Sequence, residues 1–161
     1  MKSDKTFDTA KDGVTYTEQT QACLVAVESG CVHTLLLPCG ERTLPCATVT
    51  PPDQSHEQAL CQECLRTLGY DVEIDDYIGC ADTYITADSQ NLHLTRHYYS
   101  GQLVERIASG DTSVLHQQIA LSKIQDAEKP AGQLEKMHLW AIEECVEMLR
   151  ADAHGSDDED L

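Results

Sequence analysis

Residues 55–70 read SHEQALCQECLRTLGY and carry the strongest local signals of structure in the chain. Ser55 is suited to cap the start of a helix, with Gln58 as its partner three residues later. Gly69 stands where a helix ends in a left-handed conformation, which glycine adopts readily. Beyond it, residues 70–75 alternate between apolar and acidic side chains, a pattern typical of a half-buried strand. This stretch therefore predicts one capped helix followed by a strand.

A Leu-Pro turn at residues 44–45 precedes the predicted helix. The order of turn, loop, helix, glycine and strand resembles the Nudix hydrolase superfamily, whose signature is G-x5-E-x7-R-E-U-x-E-E-x-G-U, with U a bulky aliphatic residue. Gly69 matches the final glycine of that signature, and Glu63 matches the glutamate of its R-E pair. Four other segments look like the remaining strands and the closing helix of small bacterial members: 13–27, 71–86, 96–107 and 138–149.

The signature is incomplete in this chain. Gln62 stands at the position of the arginine, and Arg66 and Thr67 occupy the positions of the E-E pair. The upstream glutamate of the signature falls on Gln54, or on Asp53 if the loop carries a one-residue insertion. The chain is therefore similar to the family in the order of its elements and divergent in its catalytic residues.

In the family, three carboxylates on one helix face hold magnesium or manganese against a pyrophosphate. Their spacing of i, i+3 and i+4 makes the side chains neighbours on a helix, and hard divalent cations bind several oxygen ligands. Here that face carries Glu63, Arg66 and Thr67, and the positive charge of Arg66 repels a divalent cation. The resemblance implies that Glu63 and Asp53 are the surviving catalytic residues, with Glu63 as the surviving metal ligand.

We therefore expect a Nudix-fold protein that binds a nucleotide or another phosphorylated small molecule with little or no hydrolysis. Arg66, with Gln62 beside it, could replace the metal as the counter-charge for a phosphate. The alternative is that Arg66 only pairs with Glu63 or Glu57. Two other functions stay open. One is weak hydrolysis of a nucleoside diphosphate linked to another moiety, which would require Mg²⁺ as cofactor. The other is a protein-interaction module.

The order of the predicted elements is strands, a central helix, more strands and a terminal helix. This order predicts an α/β fold with helices on both faces of a mixed sheet, which agrees with the α/β/α sandwich that the resemblance implies. The predicted domain covers residues 13–150, after a flexible leader at 1–12 and before a disordered acidic tail at 151–161. The clearest predicted helix spans residues 133–150, and a hairpin is predicted to turn near 88–90.

Composition limits the partners that the chain can have. Its 161 residues carry a net charge of −17, which argues against a nucleic-acid partner and against an anionic membrane surface. It has no apolar run of about 18 residues, and its polar N-terminus lacks the apolar core of a signal peptide, so we predict a cytoplasmic location. The family resemblance adds a homodimer as an alternative to a monomer.

The cysteines and histidines suggest metal sites that we weigh against simpler roles. In a reducing compartment the eight cysteines are predicted to be thiols rather than a disulfide framework. Cys61 and Cys64 could chelate zinc, but they lack a second pair of ligands, so we predict that both pack in the core. His93 and His97 are predicted to lie on a strand, about 13 Å apart at ~3.3 Å per residue, too far for one ion to bridge.

Overall fold

The computed structural model describes residues 3–50, 55–87, 89–124 and 134–159. In this part of the chain the strands are β1 (Ser3–Thr6), β2 (Thr17–Val25), β3 (Val27–Glu28), β4 (Cys31–Leu36), β5 (Arg42–Thr43), β6 (Cys46–Val49), β7 (Tyr70–Ala87), β8 (Gln90–Arg106) and β9 (Leu115–Ala120). The helices are α1 (His56–Leu68), α2 (Leu121–Ile124) and α3 (Lys136–Glu159). None of these described helices combines the length and the apolar character that a membrane span requires.

A five-stranded mixed sheet forms the centre of the molecule, with the strand order β1-β7-β8-β2-β6. The long strands β7 and β8 form an antiparallel hairpin, in which Ala87 pairs with Gln90, as the sequence predicts. Strand β2 runs parallel to β8, and the edge strand β6 runs antiparallel to β2. A second sheet is built around β4, which pairs with β3, β5 and β9.

The two faces of the central sheet are covered by different helices. Successive side chains of a strand point to opposite faces, so β2 sends Ala22 and Leu24 toward α1 and Cys23 toward α3. On β8, the buried Tyr98 joins the core beneath α3, whereas Tyr99 packs beside α1. The predicted α/β/α sandwich with a mixed central sheet is therefore confirmed.

Both ends of α1 form as the local sequence predicts. The hydroxyl oxygen of Ser55 accepts a hydrogen bond from the backbone N–H of Gln58 at 3.1 Å. At the other end, Gly69 has a φ of 76°, and its N–H donates to the carbonyl of Leu65 at 3.0 Å. These bonds satisfy backbone groups that have no partner inside the helix.

The structure describes regular elements within both of the segments that the sequence assigns to the ends of the chain. Within the predicted leader, residues 1–12, strand β1 pairs in parallel with β7, from Ser3 opposite Gly79 to Thr6 opposite Asp82. A short polar strand at a sheet edge has no apolar alternation by which the sequence could indicate it. Helix α3 runs to Glu159 and so continues into the predicted tail, residues 151–161.

A chain of hydrogen bonds crosses the central sheet from β1 to β2. The Thr6 hydroxyl donates to Asp82 at 2.7 Å, and the other carboxylate oxygen of Asp82 lies 2.7 Å from Nε2 of His93. The Nδ1 atom of His93 lies 2.7 Å from the carboxylate of Glu18. The hydrogen bond with Asp82, and then that with Glu18, raise the pKa of His93.

We expect Asp82→Asn to lower the pKa of His93 toward its ordinary value, as measured by an NMR pH titration of the imidazole. Because the pKa of His93 is raised in the folded protein, its charged hydrogen bonds stabilise the fold below the unfolded pKa of about 6.5. This stabilisation is lost as the pH rises through the folded pKa. Thr6→Val, which removes a partner of Asp82 without touching His93, is the control. An unchanged titration of His93 in Asp82→Asn would contradict the prediction.

Two of the eight cysteines form a disulfide, which corrects the prediction that all of them are thiols. Cys23 on β2 and Cys46 on β6 stand directly opposite each other in the antiparallel pairing, and their Cα atoms are 4.1 Å apart. Side chains at directly opposite positions are the closest pairs in a sheet, and only the strand register brings these two residues together. Six cysteines take no part in a disulfide: Cys31, Cys39, Cys61, Cys64, Cys80 and Cys145.

Candidate functional site

A cavity of about 380 Å³ lies between helix α1 and the edge strand β6. Three residues of β6 and four of α1 line it: Cys46, Ala47, Thr48, Ala59, Gln62, Glu63 and Arg66. The helical residues share one face because positions three and four apart are neighbours on a helix surface. The cavity is therefore where the fold brings together three of the residues that the sequence predicts for the site, namely Gln62, Glu63 and Arg66.

Glu63 and Arg66 form an ion pair inside this cavity. The guanidinium Nε of Arg66 donates to Oε2 of Glu63 at 3.2 Å, and Nη2 of Arg66 donates to Oε1 of Glu63. The hydrogen bond from Arg66 to Glu63 raises the pKa of Arg66, so the guanidinium stays charged. Both carboxylate oxygens of Glu63 are thus engaged by a cation of the protein itself. Of the two pairing alternatives for Arg66, the structure shows the one with Glu63.

Asp111 joins the pair from outside the predicted site. Its Oδ2 atom lies 3.7 Å from Nη1 of Arg66. Two hydrogen bonds that Asp111 accepts from Ser113, at 2.6 Å from the hydroxyl and 2.9 Å from the backbone N–H, lower the pKa of Asp111. The backbone N–H of Asp111 donates to the carbonyl of Thr67 at 3.0 Å, which fixes this turn against the end of α1. Sequence analysis missed Asp111 because no motif connects it to the helix.

Thr67 does not line the cavity, although the sequence places it on the same helical face as Glu63 and Arg66. Its side chain is buried, with 8% exposed, and its hydroxyl donates to the backbone carbonyl of Glu63 at 2.8 Å. A carboxylate at position 67 would therefore have to enter a buried environment. The remaining predicted catalytic residue, Asp53, and its alternative, Gln54, lie outside the described residues.

A cluster of aromatic side chains lies at the N-terminal end of α1. The ring of His56 stacks on that of His97 with centroids 4.5 Å apart, and Nδ1 of His56 lies 2.9 Å from the Tyr99 hydroxyl. The Tyr77 hydroxyl lies 2.9 Å from Nδ1 of His97. His93 lies on the same strand, β8, but has Asp82 and Glu18 as its partners. The two histidines thus have separate contacts, in agreement with the predicted strand.

The predicted core role of the Cys61 and Cys64 pair is supported by burial. Cys64, on the inner face of α1, is fully buried, and burial, followed by the charges of Cys61 and Glu63, raises the pKa of Cys64 to about 12. A thiol of this kind stays protonated and packs as a small apolar side chain. Cys61 is partly buried and packs against the same core.

Comparisons with known proteins give a match in structure rather than in sequence. No family model matches the sequence, and a search of curated proteins finds no match either. A Nudix hydrolase from Nitrosomonas europaea matches with a TM-score of 0.63 and 19% identity, over 80% of this chain and 88% of that chain. An ADP-ribose pyrophosphatase from Streptococcus suis matches with a TM-score of 0.61 and 16% identity, over 83% and 93%.

A third similar structure is the Nudix domain of NrtR from Shewanella oneidensis, determined in complex with ADP ribose. It matches with a TM-score of 0.56 and 15% identity, over 84% of this chain and 90% of that chain. At such identities the likeness concerns the fold. The five-stranded mixed sheet with its helices, described above, agrees with it. This chain therefore has the fold of the Nudix hydrolase superfamily, as its sequence resemblance predicts.

Proposed function

We propose that this protein binds a nucleotide or another phosphorylated small molecule in the cavity between α1 and β6, with little or no hydrolysis. The observation that carries the proposal is the ion pair of Arg66 with Glu63, at positions where the family resemblance expects metal-binding carboxylates. Arg66 exposes 62% of its side chain, so a ligand can reach the guanidinium. Its planar fork of N–H donors suits a phosphate.

The size of the cavity supports a small-molecule ligand. Its 380 Å³ falls within the range of about 300–1,000 Å³ that is usual for such sites. The similar structures support the chemical class, because one of them is an ADP-ribose pyrophosphatase and another is a complex with ADP ribose. ADP-ribose is therefore the first ligand to test.

The same ion pair argues against efficient metal-dependent chemistry. A divalent cation at Glu63 would have to displace the two hydrogen bonds from Arg66. It would also lie beside the positive charge of that guanidinium, which repels it. Asp111 adds a carboxylate nearby, but this carboxylate also faces Arg66. In the described part of the cavity, both of these carboxylates thus already face a cation of the protein, which leaves Mg²⁺ to compete with Arg66 for them.

We expect ADP-ribose to raise the melting temperature of the purified protein in the presence of EDTA. At a ligand concentration of 100 times Kd, binding stabilises a protein by about 2.7 kcal/mol. Arg66→Gln should abolish most of the shift, because it removes the charge that meets the phosphate. Arg150→Gln is the matched control, since Arg150 is an exposed arginine on α3. Equal shifts in the two variants would contradict the proposed role of Arg66.

The same samples, analysed for products with added Mg²⁺, separate the proposal from its alternatives. Because Glu63 lines the cavity, the second candidate is a weak Mg²⁺-dependent hydrolase that uses Glu63 and Asp53. Turnover that is lost in Glu63→Gln would establish that activity in place of simple binding. If no phosphorylated ligand gave stabilisation or turnover, this result would favour the third candidate, a protein-interaction module that uses α3 or the acidic tail.

We extend the proposal to location and partners on the basis of the sequence. The net charge of −17 supports a protein without a nucleic-acid partner. The cytoplasmic location, the homodimer alternative and the domain limits at residues 13–150 stay predictions from the sequence.

A further inference from the structure

A buried group of two cysteines and a histidine lies beneath α3. Cys23 comes from β2, Cys46 from the start of β6, and His138 from the first turn of α3. The potential ligand atoms of the three residues all lie within 4.8 Å of one another. Cys23 and His138 are fully buried, and Cys46 is half-buried and also lines the cavity. Within the described residues, no other group of three His, Cys, Asp or Glu residues meets this criterion.

The imidazole of His138 is held in a fixed orientation by its neighbours. Its Nδ1 atom lies 2.9 Å from the hydroxyl of Tyr98, and its Nε2 atom lies 3.1 Å from the hydroxyl of Thr43. Tyr98 is itself fully buried on β8, where it packs edge-on against Trp140. Histidines that bind metals usually have their second ring nitrogen held by such a partner. Tyr98 holds Nδ1 in this way, which leaves Nε2, with its contact to Thr43, as the candidate ligand atom.

We propose that reduction of the Cys23–Cys46 disulfide turns this group into a binding site for a thiophilic divalent cation such as Zn²⁺. Two thiolates and one imidazole are typical zinc ligands. The two negative charges of the thiolates balance the ion, so the buried site carries no net charge. The Thr43 hydroxyl lies 3.1 Å from Nε2, and this hydroxyl or a water completes four-coordination.

The chemistry of the site has two steps. A dithiol reductant transfers two electrons and two protons to the disulfide, which yields two protein thiols and the oxidised, cyclic disulfide of the reductant. The cation then binds as each thiol loses its proton, so that two protons are released to the solvent for each ion bound. The disulfide and the metal therefore exclude each other, and the oxidised protein should bind no ion at this place.

We expect the protein, reduced with dithiothreitol and freed of reductant without oxygen, to bind one Co²⁺ per chain. The thiolate-to-cobalt charge-transfer band in the near ultraviolet reports the binding, and added Zn²⁺ should remove the band. The oxidised protein should show no band. Cys23→Ser should lose it, and His138→Gln should weaken affinity about tenfold or more. Cys39→Ser is the control, since Cys39 is an exposed free cysteine.

A second measurement uses the unmodified chain, so that it tests the proposal even if the variants do not fold. Zn²⁺ should protect Cys23 and Cys46 from alkylation in the reduced protein, as located by mass spectrometry of peptides, and should leave the exposed Cys39 reactive. A reduced, folded protein that shows neither the cobalt band nor this protection would overturn the proposal. Equal metal binding in folded Cys23→Ser, or in folded His138→Gln, would overturn it as well.

Discussion

Gly69→Ala is expected to destabilise the protein by about 3–5 kcal/mol, one of the largest effects of a single methyl group in this chain. Gly69 ends α1 with a φ of 76°, a conformation that costs a residue with a Cβ atom roughly 1–2 kcal/mol. A Cβ atom here would also lie 2.7 Å from the carbonyl carbon of Ala108 and 2.9 Å from the N atom of Gly110, and closer still to the Ala108 oxygen. Because these atoms belong to the backbone, the loop itself would have to move.

Gly30→Ala separates the two contributions. Gly30 has the same φ of 76°, but nothing lies within 4 Å of the position of an added Cβ atom. It should therefore show the conformational cost alone, about 1–2 kcal/mol. Urea denaturation of the two variants beside the parent protein measures both free energies of unfolding. If Gly69→Ala lowered the free energy of unfolding no more than Gly30→Ala, this result would contradict the close approach of residues 107–110 to α1.

The contact at Gly69 also concerns the candidate site. The carbonyl of Gly69 accepts hydrogen bonds from the N–H groups of Ile107 and Ala108, at 2.8 and 3.1 Å. The same turn presents Asp111 to Arg66. A shift of this loop would therefore change the charges around the guanidinium, so that Gly69→Ala should weaken ADP-ribose binding in addition to stability.

Arg66→Glu should create a Mg²⁺ site that the parent protein lacks. It places a new carboxylate between Glu63, which is three residues earlier on the helix, and Asp111, which now lies 3.7 Å from the guanidinium. Three acidic groups supply the oxygen ligands that Mg²⁺ prefers. Without metal, the variant should be less stable, because like charges replace an ion pair on an already acidic protein. The buried Thr67 is left unchanged, so no carboxylate has to enter the core.

The measurement is thermal unfolding with and without Mg²⁺. If the new site has a Kd of about 1 mM, 10 mM Mg²⁺ should stabilise Arg66→Glu by about 1.4 kcal/mol, whereas the parent protein should not respond. Arg66→Gln is the matched control, because it removes the guanidinium without adding an acid. Stabilisation of both variants to the same extent would show that the metal binds elsewhere. No stabilisation of folded Arg66→Glu would mean that these three positions cannot share an ion.

The parts of the fold that the sequence predicted correctly depend on interactions between close neighbours along the chain. The cap at Ser55 bonds to a residue three positions away, and the end of α1 at Gly69 follows from the left-handed conformation that glycine adopts readily. The placement of Gln62, Glu63 and Arg66 on one wall of the cavity follows from the helical repeat. For the same reason, the i, i+3 ion pair of Glu63 with Arg66 was one of the two alternatives that the sequence predicted for Arg66.

Contacts between residues that are distant in the sequence were not predicted, because they depend on the tertiary structure. The register of β2 against β6 brings Cys23 to Cys46, and the packing of α3 adds His138 to them. The turn that follows β8 places Asp111 beside Arg66. Each of these contacts depends on the pairing of whole strands or the docking of a helix, which the apolar patterns of the separate segments do not specify. The helix of the site and its charges therefore follow from the local sequence, whereas the residues that meet them follow from the assembled sheet.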